Sequence, residues 1–249
     1  MDLSNVICER PSKTIYRDGD KVIYLYKKDY SKGDILNAAL NQARVEEVGI
    51  SLPKVHEVTK INDRWAIISD YIEGVTLEQM MQDDPSRTDE ILDRFVKIQT
   101  EIHTCRCRKL ITTRHKMLDK IAMADISDNT RYELETRIEG MPRHEKLCHG
   151  DLMPSDVIIR ADGSHVILDW SHATQGNASA DAGRTYLLFC LEGRQELGEK
   201  YLDKFCAAPK ISKTLVQRWL PILAASQSTK NIESQREFLM SWVNIAEYE

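Results

Sequence analysis

The chain of 249 residues is 42% hydrophobic and 29% charged, which supplies enough apolar side chains for a packed core and excludes a disordered tail. Its 34 basic and 39 acidic residues give a formal net charge of −5, which argues against a nucleic-acid partner, because such proteins usually need a basic surface. The first residues carry no export signal and no later run resembles a membrane span, so we expect a cytoplasmic protein with no membrane partner and six free cysteine thiols.

The first part of the chain has the alternation typical of strands. β-Branched and aromatic residues occur in four short runs, and Arg17–Asp18–Gly19–Asp20 is a hairpin signal between the first two. Apolar residues at helical spacing lie between the second and third runs and end at Gly49. The pattern predicts one helix inserted into a sheet of about four strands, at residues 14–16, 21–26, 54–59 and 65–69.

The pattern changes to helices after Tyr71. Apolar residues from Ile91 to Ile102 follow one helical face, and a further helix is predicted over residues 129–138. Two short strand patterns, at 157–159 and 165–168, are joined by Asp162–Gly163, and the chain is helical again from Asp181, with breaks near Gly193, Pro209 and Ser228. We therefore predict an α+β fold with a small antiparallel β lobe over residues 1–71 and a larger, mainly helical lobe over residues 72–249.

The segment most informative about chemistry reads H-G-D-L-M-P-S-D from His149 to Asp156, and Asp169 follows at the end of V-I-L-D. Asp151 falls on the turn before the predicted hairpin and Asp169 on the turn after it, so that their side chains can converge. Hard cations such as Mg²⁺ take carboxylate ligands together with substrate phosphates, and a further carboxylate can accept a proton from an attacking hydroxyl. The alternative for any single aspartate is that it only caps a turn.

These motifs resemble the catalytic core of the aminoglycoside phosphotransferase and choline kinase-like group, whose fold is related to the protein kinases. G-I-S-L-P-K-V over residues 49–55 resembles the group's link from the N-lobe helix to the next strand, and Y-I-E-G-V-T-L over residues 71–77 resembles its hinge. The resemblance covers nearly the whole chain. It implies a two-lobed protein kinase-like fold that uses ATP and Mg²⁺ to phosphorylate a hydroxyl group of a small molecule.

The resemblance also implies roles for individual residues. Asp151 matches the catalytic aspartate that orients and deprotonates the acceptor hydroxyl, and Asp169 matches the aspartate that binds Mg²⁺. His149 is expected to support the catalytic loop by hydrogen bonding. Backbone groups of Asp70 and Ile72 match the hinge that receives adenine, and Asp181 matches a structural position.

The chain departs from the group's pattern at several positions. The second metal ligand, an asparagine in the group, is here Asp156, and a carboxylate there still suits Mg²⁺. Tyr24 stands where the group has a phosphate-binding lysine, and Ala38 stands where a helix should supply the glutamate that pairs with it. Lys27 or Lys28 could reach the phosphates instead, or both could be solvated at the strand end. Residues 7–13 also lack the glycines of a phosphate loop.

These losses leave two functions open. The first is a small-molecule phosphotransferase, and the alternative is a pseudokinase that retains the fold for nucleotide or partner binding. Acidic and basic residues are balanced from residue 182 onward, which does not favour a polycationic aminoglycoside acceptor. Four aromatic residues could form a cage for a quaternary ammonium group, although packing in the core is the more ordinary use of such side chains: Trp170, Tyr186, Trp219 and Trp242.

Overall fold

The computed structural model describes residues 1–10, 12–208 and 211–244. Contacts divide the chain into two compact units, the first of Met1–Arg87 with Pro154–Ala173 and the second of Thr88–Met153 with Thr174–Glu249. Residues 154–173 thus belong with the N-terminal sheet although they come late in the chain. The assignment of nucleotide binding to residues 1–71 and of catalysis and acceptor binding to residues 72–249 stays a prediction. No helix in the described ranges is both long and apolar enough to cross a membrane.

Strands and helices are both numbered along the chain. The strands are β1 (Val6–Glu9), β2 (Lys13–Asp18), β3 (Lys21–Tyr26), β4 (Val55–Ile61), β5 (Arg64–Asp70), β6 (Val75–Thr76), β7 (Lys146–Cys148), β8 (Val157–Ile159), β9 (His165–Ile167) and β10 (Thr174–Gly176). The helices are α1 (Lys32–Glu46), α2 (Leu77–Asp83), α3 (Thr88–Ile102), α4 (Thr113–Met123), α5 (Asp128–Glu139), α6 (Ala178–Leu191), α7 (Gln195–Ala207), α8 (Lys213–Gln217), α9 (Leu220–Ser228) and α10 (Glu233–Asn244).

The first unit contains a five-stranded antiparallel sheet in the order β1-β2-β3-β5-β4. The prediction of about four strands was one short, because β1 is a four-residue edge strand whose side chains are mostly exposed and show no apolar alternation. Asn62 and Asp63 both have positive φ, 50° and 60°, as a two-residue hairpin turn with the right-handed twist of its strands requires.

Helix α1 covers one face of this sheet. The hydroxyl of Ser31 accepts a hydrogen bond from the Asp34 N–H and so begins the helix. Ile35 and Ala39 of α1 pack with Tyr26 of β3 and Ile67 of β5. Because side chains alternate along a strand, Ile23 and Leu25 point to the opposite face, where they pack with Ala66 and Ile68.

A second, three-stranded sheet in the order β6-β8-β9 completes the first unit. The predicted hairpin at Asp162–Gly163 is confirmed, since β8 and β9 pair antiparallel with Val157 opposite Ile167. Short 3-10 turns flank this hairpin at Pro154–Asp156 and at Trp170–His172.

The second unit is mainly helical, as predicted. Its core lies between α4, α5, α6, α9 and α10, with Ile121, Leu134 and Ile222 fully buried at its centre. The predicted breaks near Gly193 and Ser228 are confirmed by the ends of α6 and α9, while Pro209 lies outside the described residues. The two short strands β7 and β10 pair antiparallel, and β7 leads directly into the segment that carries His149 and Asp151.

Candidate active site

Asp156 and Asp169 lie at the same end of the β8–β9 hairpin. Asp156 directly precedes β8 and Asp169 follows β9 by one residue, and the Leu168 N–H donates to the Asp156 carbonyl over 2.8 Å. Antiparallel pairing therefore brings together the two aspartates that the sequence assigned to a metal. The Arg10 side chain interacts electrostatically with both of them.

Asp169 has an unusual backbone conformation. Its φ of 54° and ψ of 62° place it in the left-handed region, which costs a residue other than glycine about 1 kcal/mol and which Asp and Asn adopt more readily than most. The Ser171 hydroxyl donates to Asp169 Oδ1 over 2.6 Å, so that the turn fixes the carboxylate from one side.

A lysine of β2 fixes the Asp169 carboxylate from the other side. Lys13 Nζ donates to Asp169 Oδ2 over 2.9 Å, and only 8% of Lys13 is exposed. The register of the sheet explains this placement, because Lys13 lies directly opposite Tyr26 on β3 and therefore shares its face. Lys13 Nζ also lies 5.0 Å from the ring centroid of Tyr24 and 5.4 Å from that of Tyr26.

Lys13 was not predicted as a site residue, because the predicted strand began at residue 14. Alternation along β2 puts Lys13 on one face with Ile15, and only the register with β3, which pairs Ile15 with Tyr24 and Lys13 with Tyr26, puts it on the face of the two tyrosines.

The pKa values of this pair reflect their mutual attraction. Burial by itself would raise the pKa of Asp169, but Lys13 and the Ser171 hydroxyl hold it well below its usual range. Burial by itself would lower the pKa of Lys13, but the Asp169 carboxylate and the two tyrosines raise it above its usual value. Burial raises the pKa of Tyr24 to about 12, so Tyr24 is a neutral phenol beside the charged pair.

The other residues considered for phosphate binding lie elsewhere. Lys27 and Lys28 lie in the turn after β3 and are exposed. Ala38 on α1 packs against the apolar cluster with Tyr26 and Ile35. One turn later on the same helix, Asn41 is buried and its Nδ2 donates to the Ser171 carbonyl over 3.0 Å, so that α1 is linked to the Asp169 turn by an amide instead of an ion pair.

The predicted hinge lies at the end of β5. The Asp70 N–H donates to the Lys54 carbonyl, and the Asp70 carboxylate accepts from the Lys54 N–H over 2.9 Å and contacts His56 Nε2 at 2.6 Å. The Ile72 N–H has no hydrogen-bond acceptor within the part of the chain that the structure describes. A backbone donor of this kind suits the edge of a planar heterocycle such as adenine.

In the second unit, a buried network holds the turn that carries Asp151. Asp181 Oδ1 accepts the Gly150 N–H over 2.7 Å, and Asp181 Oδ2 lies 2.9 Å from His103 Nε2. Gly150 has a φ of 91°, which favours glycine. His149 is fully buried and its Nδ1 lies 3.4 Å from the Asp151 nitrogen, a long hydrogen bond that suits a loop-supporting residue. The structural role that the resemblance implied for Asp181 fits this geometry.

The atoms around Asp181 also have the composition of a metal site. Ligand atoms of His103, Cys148 and Asp181 lie within 4.8 Å of one another, and all three residues are buried. The two candidate ligand atoms His103 Nε2 and Asp181 Oδ2 contact each other at 2.9 Å, however, and Gln99 Nε2 donates to the same Asp181 oxygen over 3.3 Å, so these atoms face each other instead of an ion. We therefore attribute this cluster to the positioning of residues 149–151.

The Asp151 carboxylate lies among basic side chains of the second unit. Arg184 Nε donates to Asp151 Oδ1 over 2.6 Å, and Lys230 Nζ lies 3.8 Å from Asp151 Oδ2. Lys116 interacts electrostatically with Asp151, Arg184 and Lys230. No local sequence pattern predicts this set, because its members come from α4, α6 and the segment after α9.

The aromatic residues considered for a cage are used in packing. Trp170 is fully buried and donates its indole N–H to the Ile167 carbonyl over 3.1 Å. Trp219 is 2% exposed, within the core of the second unit. Tyr186 is 3% exposed, and its hydroxyl donates to Glu199 over 2.6 Å. The packing interpretation is therefore confirmed for these three residues.

The residues of the first unit fit a hard divalent cation. Carboxylate oxygens are the ligands that Mg²⁺ prefers, and the low pKa of Asp169 keeps it ionised throughout the physiological range. Each Asp169 oxygen accepts one hydrogen bond, which leaves each a lone pair for a metal ion. The Asp169 carboxylate therefore suits Mg²⁺, and Asp156, at the same end of the hairpin, offers a second carboxylate.

Comparison with known families identifies the family of the chain. Residues 14–213 match the model of a family described as "Phosphotransferase enzyme family". No curated protein matches the sequence.

Solved structures similar to this chain are kinases of small molecules. Choline kinase LicA from Streptococcus pneumoniae is 15% identical with a TM-score of 0.63, over 99% of this chain and 94% of that one. A thermostable mutant of aminoglycoside phosphotransferase APH(4)-Ia, in a ternary complex with ADP and hygromycin B, is 15% identical with a TM-score of 0.66, over 98% and 92% of the two chains. An aminoglycoside-3'-phosphotransferase of type VIII is 15% identical with a TM-score of 0.61, over 90% and 92%. The predicted two-lobed, protein kinase-like α+β fold is thereby confirmed.

Proposed function

Because the chain belongs to the phosphotransferase enzyme family, we propose that it transfers the γ-phosphoryl group of ATP to a hydroxyl group of a small molecule. The donor is ATP with Mg²⁺. The acceptor is a small molecule, in keeping with the choline and hygromycin B named for the similar structures.

In the proposed reaction Asp151 orients the acceptor hydroxyl and accepts its proton. A bond forms between the acceptor oxygen and the γ-phosphorus, and the bond from that phosphorus to the β,γ-bridging oxygen breaks, so that ADP leaves. The network of Asp181, His103 and Gly150 holds the backbone of the Asp151 turn, and His149 supports that turn from within the core.

Residues of the first unit hold the nucleotide. Asp169 and Asp156 would hold Mg²⁺, which would neutralise charge on the phosphates. Lys13 places a positive charge beside the same carboxylate, where it can also contact a phosphate oxygen. The Tyr24 ring lies next to Lys13 Nζ, and backbone groups of Asp70 and Ile72 receive adenine. Lys27 is exposed and is not needed for this assignment.

The proposal rests mainly on the position of Lys13. Its Nζ lies 2.9 Å from Asp169 Oδ2, so that β2 supplies the positive charge that β3, with Tyr24, does not. Burying the Lys13 ammonium group in this ion pair costs free energy, because the charges lose hydration. Binding of phosphate and Mg²⁺ would explain why the pair is retained despite this cost.

The alternative is a pseudokinase, and the replacements at Tyr24 and Ala38 favour it. The two functions differ in turnover. With no acceptor added, water receives the phosphoryl group, so ADP release measured with purified protein, ATP and Mg²⁺ should be slow but enzymatic in the native chain and should fall to the background rate in Asp151→Asn. Asp162→Asn, an exposed turn residue of the first unit, is the matched control and should retain the native rate. ADP release that is identical in native protein and Asp151→Asn would favour the pseudokinase.

A further inference from the structure

Positively charged side chains of the second unit contact Asp151. Arg184 contacts one carboxylate oxygen at 2.6 Å and Lys230 approaches the other at 3.8 Å. Lys116 of α4 joins them through electrostatic interactions with both cations and with Asp151. Three elements that are distant in sequence thus bring their cations to the carboxylate that is proposed to receive the acceptor hydroxyl. We call Lys116, Arg184 and Lys230 the basic cluster.

Arg184 is the best placed of the three to bind a ligand. It is only 8% exposed, and the single hydrogen bond that its side chain makes within the described ranges runs from Nε to Asp151. Its two terminal nitrogens therefore have no acceptor among the described residues. The guanidinium group is planar and its donors form a rigid fork, which matches the two oxygens of a carboxylate or a phosphate.

The electrostatics of Lys116 are consistent with an excess of positive charge. Burial, together with repulsion from Arg184, Lys230 and Lys120, lowers the pKa of Lys116 to about 8 despite the attraction of Asp151. Lys116 is still mostly protonated at neutral pH, and a bound anion would favour that charged form.

The geometry points to an acceptor that carries an anionic oxygen group, a carboxylate or a phosphate, in addition to the hydroxyl that is phosphorylated. This inference rests on the proposed function. The anionic group binds the terminal nitrogens of Arg184 together with Lys116 and Lys230, and this contact places the hydroxyl at Asp151. The choline and hygromycin B named for similar structures are cations, which the basic cluster would repel. The acceptor of this chain thus differs in charge from theirs.

Binding of simple ions to the full chain tests this inference. The Nε–Hε resonance of Arg184, assigned as the signal lost in Arg184→Lys, reports on the cluster itself. We expect it to shift saturably on titration with sodium acetate, with sodium phosphate or with both, and not with sodium chloride of equal ionic strength. The anion that gives saturation identifies a carboxylate or a phosphate as the group bound.

Two variants and one control complete the experiment. Lys116→Gln and Lys230→Gln should each weaken the anion affinity about tenfold, as expected for the loss of a charged hydrogen bond. Lys200→Gln removes an exposed positive charge from α7 and should leave the anion affinity within about twofold of the native value.

The inference is overturned if neither anion shifts the resonance saturably, or if choline chloride does so at lower concentration than both anions. Its failure is separate from that of the proposed function, because binding of Mg·ATP is measured on the same samples and involves residues of the first unit. Binding of Mg·ATP without anion binding would refute the anionic acceptor alone.

Discussion

Lys13 on strand β2 forms a 2.9 Å ion pair with Asp169, the aspartate at the end of the β8–β9 hairpin that the sequence assigns to Mg²⁺. The pair joins two segments that are 156 residues apart in the chain. It places a buried ammonium group beside the proposed nucleotide phosphates although β3 supplies no lysine at Tyr24. We propose that this lysine of the neighbouring strand takes the place of the one that the resemblance implied at Tyr24.

Replacement of Lys13 tests this account of the cation. In Lys13→Met the apolar stem remains but the charge is lost, so we expect kcat for ADP release to fall by about 10²–10³, as when one preorganised electrostatic group is removed. Lys27→Met, at an exposed position in the turn after β3, should change kcat by less than about twofold. Equal losses in the two variants would show that Lys13 has no special role. A thermal melt of each variant separates loss of folding from loss of catalysis.

The difference between Lys13 and Tyr24 also shows what the sequence could predict. Alternation and turn residues predicted strands β2 to β5, β8 and β9, their hairpins, and helices such as α1, α3 and α5, because these features depend on neighbours in the chain. The role of Lys13 depends on the pairing of β2 with β3, which fixes the side chains that share a face, and on a hairpin far along the chain. Neither is encoded in a local pattern.

The basic cluster around Asp151 could not be predicted from the sequence for the same reason. Lys116, Arg184 and Lys230 are unremarkable in their own helical or loop segments, and only the packing of the second unit brings them together. Strand β1 was missed on different grounds, since an exposed four-residue edge strand carries too few apolar residues to alternate.

Asp181 should be the polar residue on which stability depends most. Its buried carboxylate accepts hydrogen bonds from Gly150 and Gln99 and contacts His103, so Asp181→Ala leaves several polar groups without a partner. We expect the free energy of unfolding to fall by about 3–5 kcal/mol in denaturant titrations. Glu133→Ala, at an exposed site on α5, is the control and should change it by less than about 0.5 kcal/mol. A small effect of Asp181→Ala would mean that the network is not a structural support.

Lys116 should make stability depend on pH in a defined direction. Its folded-state pKa of about 8, set by burial and by neighbouring cations, lies below the reference value of 10.5, so the folded state binds its proton more weakly than the unfolded state. The charged lysine is therefore destabilising below pH 8, and this cost disappears as the pH rises from 8 to 10.5.

Lys116→Met removes this cost. The free energy of unfolding of Lys116→Met minus that of the native chain should be most positive below pH 8 and should decline steadily up to pH 10.5, in chemical denaturation at constant ionic strength. A difference that does not vary with pH would contradict the lowered pKa. The same series with Lys200→Met controls for the general effect of removing one positive charge.

The central claim, that this chain binds Mg·ATP for phosphoryl transfer, is tested most directly by calorimetric titration of ATP with and without Mg²⁺ into native protein, Asp169→Asn and the control Asp162→Asn. We predict saturable binding that requires Mg²⁺ in the native chain and in Asp162→Asn, and its loss in folded Asp169→Asn. Absence of Mg²⁺-dependent binding in the native chain, or unchanged binding in Asp169→Asn, would contradict the claim.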